Sequence, residues 1–134
     1  MIYLDASALV KLVRPEAGSA ALKQWLAVRA SEVLISSVLA DVEVTRAVRR
    51  SAPELLDRVP AIVDALELVE VDPGVRALAG SYDMVTLRAA DAVHVASAEL
   101  VSRESGQVLE GFLCYDRLLS TAAERHGMPV VSPA

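Results

Sequence analysis

Short aliphatic runs that alternate with helical patterns along the whole chain constrain its fold more than any other feature. Five runs are predicted to be strands: residues 2–4, 32–35, 68–71, 111–115 and 128–131. Each is separated from the next by at least one amphipathic helical pattern, and helices that cross between strands place those strands parallel. The sequence therefore predicts an α/β fold, with a central parallel sheet of four or five strands and helices on both faces.

The helical patterns carry their own boundary signals. Ser36 and Ser37 are candidate N-caps for a helix that runs to about Arg50, because serine side chains accept hydrogen bonds from the first free N–H groups. Pro60 lies inside a pattern that starts near Pro53. A kink or break is expected there, since proline removes a backbone donor.

Length and composition indicate one globular domain, spanning residues 1–134. Hydrophobic residues make up 54% of the chain and aromatic residues only 4%, so the core is expected to consist of Val, Leu, Ile and Ala. The formal net charge is -5, which argues against a protein that binds nucleic acid through bulk positive charge. An enzyme that holds nucleic acid through metal ions and a small arginine patch remains compatible with this balance.

Compartment signals favour the cytoplasm. The N-terminal segment carries Asp5 and Lys11 and has neither a basic leader nor a small-residue cleavage site, so no signal peptide is expected. No run is long and uncharged enough to span a membrane. The single cysteine, Cys114, cannot form an internal disulfide and is compatible with a reducing environment.

Acidic residues recur where a predicted strand gives way to a helix, or one turn inside a helix. They are Asp5, Glu43, Asp91 and Asp116. In a parallel sheet these positions lie at the carboxyl edge, where active sites form. Carboxylates gathered there repel one another, and a hard divalent cation such as Mg²⁺ or Mn²⁺ relieves that repulsion. The pattern predicts a metal-dependent phosphodiester chemistry that uses one or two ions.

Each acid also has a structural interpretation. Asp5 and Asp116 can be helix N-caps, and Ser7 can steady Asp5 through its hydroxyl. Asp91 lies in an alanine-rich stretch, where an unpaired carboxylate is expensive to bury; a salt bridge to Arg88 is its alternative.

The remaining site candidates depend on helical geometry. Glu43 is preferred to Asp41, because residues two apart on a helix point in nearly opposite directions and Glu43 has the longer reach. His94, one turn beyond Asp91, is either a support for a carboxylate or a satisfied core histidine.

Four arginines are candidates for contacts with the phosphates of a nucleic-acid substrate. Arg46 and Arg50 follow Glu43 on one face of a helix, and Arg88 and Arg117 flank two of the acids. They can form a phosphate track, a solvated surface, or a docking site for the tail of a partner protein.

The order of these features resembles the PIN domain, and most closely the VapC-type toxins of toxin–antitoxin pairs. The matching stretches are MIYLDASALVKL, ISSVLADVEVTRA, LRAADAVHVASA and FLCYDRLLSTAAERHGMPVV. The resemblance implies a three-layer α/β/α fold and an endoribonuclease that uses Mg²⁺ or Mn²⁺. It places the metal-binding, catalytic acids at Asp5, Glu43, Asp91 and Asp116. It also implies a homodimer silenced by a cognate antitoxin.

The chain departs from this family at one position. The family often has Thr or Ser two residues before the fourth acid, where this chain has Cys114. A thiol is a weaker hydrogen-bond partner, so Asp116 is expected to be held less firmly. Two alternatives to the toxin stay open: a PIN-like nuclease of RNA maturation, and a PIN fold that only binds a partner. A phospho-acceptor receiver domain is disfavoured, because no lysine follows the last predicted strand.

Overall fold

A computed structural model describes residues 1–134 and contains one parallel sheet of five strands. The strands are short and mostly buried: β1 (Ile2–Leu4), β2 (Leu34–Ser37), β3 (Glu67–Val69), β4 (Gly111–Leu113) and β5 (Val130–Val131). Their spatial order is β3-β2-β1-β4-β5, and every neighbouring pair is parallel. The predicted class, a parallel α/β sheet, is confirmed.

Seven α-helices connect the strands, and a 3₁₀ segment (Pro53–Arg58) precedes the fourth of them. They are α1 (Ala6–Val13), α2 (Ser19–Ala27), α3 (Leu39–Ser51), α4 (Val59–Asp64), α5 (Pro73–Ser81), α6 (Ala89–Ser105) and α7 (Arg117–Arg125). None of the helices combines the length and the apolar character that crossing a membrane requires.

The helices form two layers, because alternate residues of a strand point to opposite faces. Ile2 and Leu4 pack with apolar side chains of α1 to α4 in one core cluster. Tyr3 points the other way, into a second cluster with Phe112 and apolar side chains of α6 and α7, and Tyr82 at the end of α5 packs against it. The sheet is thus covered on both faces, as in a three-layer α/β/α arrangement.

The prediction for Ser36 and Ser37 is wrong in its main point. Both residues belong to β2, which starts and ends two residues later than predicted. The buried hydroxyl of Ser36 donates to the carbonyl oxygen of Leu4 at 2.6 Å, a contact across the sheet that satisfies it inside the strand. Ser37 keeps part of the expected role, because its hydroxyl accepts from the N–H of Leu39 at 3.1 Å.

The break expected at Pro60 is present, but it lies between Arg58 and Val59, just before the proline. The 3₁₀ segment ends at Arg58 and α4 begins at Val59, so Pro60 falls in the first turn of α4. Proline is tolerated there because the first N–H groups of a helix have no partner within it.

Candidate active site

Two of the four acids follow neighbouring strands at the carboxyl edge of the sheet. β1 and β4 are neighbours with Leu4 opposite Leu113, and Asp5 and Asp116 follow them. Both residues are also N-caps: Asp5 accepts from the N–H of Ala8 at 2.9 Å, and Asp116 from that of Leu119 at 2.8 Å. Each of these aspartates therefore caps a helix and also lies at the edge of the sheet where a metal site is predicted.

Asp5 is the most deeply buried of the acids, with 3% of its surface exposed. Ser7 Oγ lies 2.6 Å from Asp5 Oδ1 and 2.9 Å from Oδ2, and the same hydroxyl accepts from the N–H of Tyr115. Burial raises the pKa of Asp5 above its ordinary value, although hydrogen bonds from Ser7 and Ala8 work in the opposite direction. The carboxylate is therefore held in place by neutral donors, while its charge lacks a matching cation.

Cys114 lies between Asp5 and Asp116. Its thiol donates to Asp5 Oδ2 at 3.2 Å, and the backbone N–H of Asp116 donates to its sulfur at 3.4 Å. Burial raises the pKa of the Cys114 thiol to about 12, and the negative charge of Asp5 adds to that effect. The group is thus a neutral thiol, and it connects the two acids through hydrogen bonds.

Asp91 and Asp116 share one arginine. Arg88 Nε donates to Asp91 Oδ2 at 3.0 Å, and Arg88 Nη2 donates to Asp116 Oδ2 at 3.4 Å. The Asp91 side chain is 10% exposed, whereas that of Arg88 is 71% exposed. The salt bridge that was the alternative interpretation of Asp91 is therefore present, and it extends to a second acid.

Glu43 is anchored by His94, which is buried against β1. His94 Nε2 lies 2.7 Å from Glu43 Oε1, and His94 Nδ1 lies 2.9 Å from the hydroxyl of Tyr3. A carboxylate can only accept, so Nε2 carries the donated proton; in neutral imidazole, Nδ1 then accepts from Tyr3. The two interpretations of His94 are therefore compatible, because the ring is satisfied in the core and also bonds the Glu43 carboxylate.

The donor set fits a hard divalent cation. All four acids offer carboxylate oxygens, the ligands that Mg²⁺ and Mn²⁺ prefer, and Asp5 is a buried charge without a cationic partner. In the arrangement of this structure no three His, Cys, Asp or Glu side chains are placed to share one ion. Three of the four carboxylates instead bond a basic side chain, since Glu43 bonds His94 and both Asp91 and Asp116 bond Arg88.

Two of the candidate arginines lie next to this edge in an open cleft between α1 and α3. The cleft is lined by Arg46, Arg50, Glu43 and Ser7, among other residues. Arg49 faces a different groove, beside α4. Arg117 is exposed beside Asp116 and makes no salt bridge with it.

The hydrogen bonds from Tyr3 to His94 and from Cys114 to Asp5 are not predicted from the sequence. Cys114 was considered only as a neighbour of Asp116, whereas its closer polar contact is with Asp5. Tyr3 is the one polar side chain of an otherwise aliphatic strand, and a buried tyrosine hydroxyl usually has a hydrogen-bond partner. That signal could have pointed to Tyr3, but not to His94 as its partner.

Comparison with known proteins agrees with this architecture. Residues 2–109 match the PIN domain family. The chain is 41% identical to ribonuclease VapC35 of Mycobacterium tuberculosis over 133 residues, which cover 99% of this chain and 97% of that protein. It is 37% identical to ribonuclease VapC46 of the same species over 134 residues, with 99% and 98% covered.

The fold also matches a solved structure. VapC20 of Mycobacterium tuberculosis, described as a sarcin-ricin loop cleaving toxin, superimposes with a TM-score of 0.73 at 20% identity. That alignment covers 99% of this chain and 100% of VapC20. The PIN-domain match covers residues 2–109, and the chain is 41% and 37% identical to two VapC ribonucleases over nearly its full length. This chain therefore belongs to the PIN-domain family and to its VapC ribonucleases.

Proposed function

We propose that this protein is an endoribonuclease that requires Mg²⁺ or Mn²⁺ and acts as the toxin of a type II toxin–antitoxin pair. Its metal ligands would be Asp5, Glu43, Asp91 and Asp116, carried by one PIN-like domain over residues 1–134. The observation that most supports this proposal is Asp5. A carboxylate kept at the sheet edge by Ser7, Ala8 and Cys114, with burial raising its pKa, is suited to receive a cation.

The chemistry divides between the ion and the chain. When bound, a divalent cation supplies an activated water and stabilises the charge that develops on the phosphate and the leaving oxygen. The chain orients the ligands: Ser7 and Cys114 fix Asp5, and the Tyr3–His94 pair fixes Glu43. Partners of this kind commonly change metal affinity or activity by about 10- to 100-fold when they are lost. This scheme requires no histidine as a general base.

The partners follow from the same assignment. RNA is the substrate, a cognate antitoxin is the inhibitor, and a homodimer is the expected assembly. The names of VapC35 and VapC46 support a ribonuclease, and the description of VapC20 as a toxin supports the toxin role by analogy. Gene neighbourhood separates this role from RNA maturation, because a toxin gene should lie beside a small antitoxin gene.

Removal of the metal tests the proposal directly. The purified chain, freed of any partner, is incubated with total cellular RNA and with a circular single-stranded RNA, in Mg²⁺, in Mn²⁺ and in chelator. We expect cleavage with either ion, none with chelator, and recovery when Mn²⁺ is restored in excess. Opening of the circle establishes internal cleavage. Equal cleavage in chelator, or no cleavage of the pool by folded protein, would contradict the proposal.

The arginines of the α1–α3 cleft give a second prediction. The double variant Arg46→Gln/Arg50→Gln, in an inactive Asp91→Asn background, is titrated with a single-stranded RNA oligonucleotide at several salt concentrations. Each phosphate contact on a single strand contributes about 0.7 to the slope of log affinity against log salt. We therefore expect the slope to fall by about 1.4 when both contacts are lost.

Arg49→Gln is the matched control for this experiment. It removes the same charge from the same helix, but Arg49 faces the groove beside α4. We expect its salt slope to equal that of the Asp91→Asn parent. An unchanged slope in the double variant would show that Arg46 and Arg50 do not contact RNA phosphates.

A further inference from the structure

Arg88 is the cation that the acidic site already contains. Its guanidinium bridges Asp91 and Asp116 through two different nitrogens. The hydrogen bond to Asp91 and the charges of Asp91 and Asp116 raise the pKa of Arg88, and the charge of Glu43 adds to them. One side chain therefore balances the charge of several proposed metal ligands.

The bridge involves more than a local contact within one helix. Arg88 is the N-cap of α6 with an extended backbone (φ -71°, ψ 156°), and Asp91 lies three residues further along, which explains that pair. Asp116 caps a different helix, 28 residues away in sequence. The guanidinium thus connects the first turn of α6 with the N-cap of α7.

We propose that Arg88 is the internal counter-ion of this site and competes with the divalent cation for Asp91 and Asp116. This inference rests on the proposed function. The oxygens that Arg88 contacts belong to two of the four proposed ligands, Asp91 and Asp116. With 71% of its side chain exposed, Arg88 can leave without the desolvation penalty of a buried pair.

The two interpretations of Arg88 then describe two positions of one residue. In the metal-free protein it is the salt-bridge partner of Asp91. Once the acids bind a cation, its guanidinium is free beside the site, where an RNA phosphate would be its next partner; arginine suits that role because its planar fork matches phosphate oxygens. In such a competition, the apparent metal affinity equals the intrinsic affinity multiplied by the fraction of protein in which Arg88 does not occupy the acids.

The test uses Mn²⁺ alone as the probe and the full chain as the protein. Mn²⁺ affinity is measured by calorimetry, and Tm is measured in chelator and in Mn²⁺, for the wild type, Arg88→Gln, Arg88→Lys and Arg117→Gln. We expect Arg88→Gln to bind Mn²⁺ about two- to fivefold more tightly, the range for loss of an exposed ion pair. Its Tm in chelator should fall, while the increase in Tm caused by Mn²⁺ should become larger.

Two control variants distinguish competition for the carboxylate oxygens from the general electrostatic effect of removing a positive charge. Arg88→Lys keeps the charge but loses the fork, so its affinity should lie between those of the wild type and Arg88→Gln. Arg117→Gln removes an exposed charge beside Asp116 that makes no salt bridge with it, so it should bind Mn²⁺ as the wild type does. A purely structural role for Arg88 would lower the Tm without tightening Mn²⁺ binding.

The outcomes are distinct for the two proposals. Unchanged or weaker Mn²⁺ binding by Arg88→Gln overturns the counter-ion role, and so does an equal gain in Arg117→Gln. If the wild type and Arg88→Gln both fail to bind Mn²⁺, the metal site of the proposed function is itself wrong.

Discussion

Replacement of Asp91 by asparagine is expected to lower the rate of RNA cleavage at least about 100-fold. Asp91 is a direct metal ligand in the proposed function, and the loss of such a ligand should exceed the loss of a supporting residue. Asp91 lies in the first turn of α6 with its side chain only 10% exposed, and its one charged partner is the exposed Arg88. The amide has nearly the shape of the carboxylate but no charge to offer a cation. The fold should persist, since exposed partners such as Arg88 contribute little to stability.

Cleavage of the RNA pool and calorimetric titration with Mn²⁺ are measured on the same preparations. We expect activity and Mn²⁺ affinity to fall together, with a Tm within about 4 °C of the wild type. Glu104→Gln is the control, because it removes a charge from the exposed far end of the same helix and should leave both properties unchanged. Full activity of Asp91→Asn would remove Asp91 from the site.

The second large effect concerns Asp5, where activity and stability should change in opposite directions. Asp5→Asn is expected to lose cleavage by at least about 100-fold and, in chelator, to unfold at a higher temperature than the wild type. Asparagine is as good an N-cap as aspartate, so the bond from Ala8 can be kept. The gain comes from removing a buried charge that the metal-free fold tolerates poorly.

The pH dependence of this gain follows from the direction of the pKa shift. Burial raises the pKa of Asp5 above its ordinary value of 3.8, so the folded state binds the proton more tightly than the unfolded state. The free energy of unfolding of the wild type therefore falls as pH rises from 3.8 through the raised pKa of Asp5. The Tm difference between Asp5→Asn and the wild type should be smallest in acid and should widen over this interval.

Thermal unfolding is measured between pH 4 and pH 8, with chelator or with Mn²⁺. It gives the stability difference between Asp5→Asn and the wild type at each pH, and the stabilisation of each protein by Mn²⁺. Mn²⁺ should stabilise the wild type, by about 2.7 kcal/mol at 100 times its dissociation constant, and should stabilise Asp5→Asn much less. Asp72→Asn is the matched control, because Asp72 is an exposed N-cap that accepts from the N–H of Val75. It should stay within about 0.5 kcal/mol of the wild type. An Asp5→Asn protein less stable than the wild type in chelator at pH 8 would contradict this account.

Much of the fold was predictable because its signals are local. Aliphatic runs flanked by helical patterns identified all five strands, and Asp5 and Asp116 were placed correctly because they directly follow two of those runs. The boundaries of β2 were less predictable. Ser36 looks like a helix cap in sequence, yet its hydroxyl is satisfied by Leu4 on the neighbouring strand, a contact that no local pattern encodes.

The candidate site shows the same division. Its acids were proposed from their positions, but a support of each of the four was unforeseen or left open: Cys114 for Asp5, the Tyr3–His94 pair for Glu43, and Arg88 for both Asp91 and Asp116. Each of these supports includes a contact between residues far apart in sequence. Their formation depends on how α3, α6 and α7 pack against the sheet.

The sequence by itself determined the type and order of the elements and the junctions at which carboxylates occur, because periodicity and capping act over a few neighbouring residues. Only the tertiary structure decided the strand order β3-β2-β1-β4-β5 and the partners that each carboxylate takes from distant parts of the chain. Those depend on distances across the sheet and between helices, as between Glu43 and His94, 51 residues apart. Such distances are fixed only when the two apolar cores have packed.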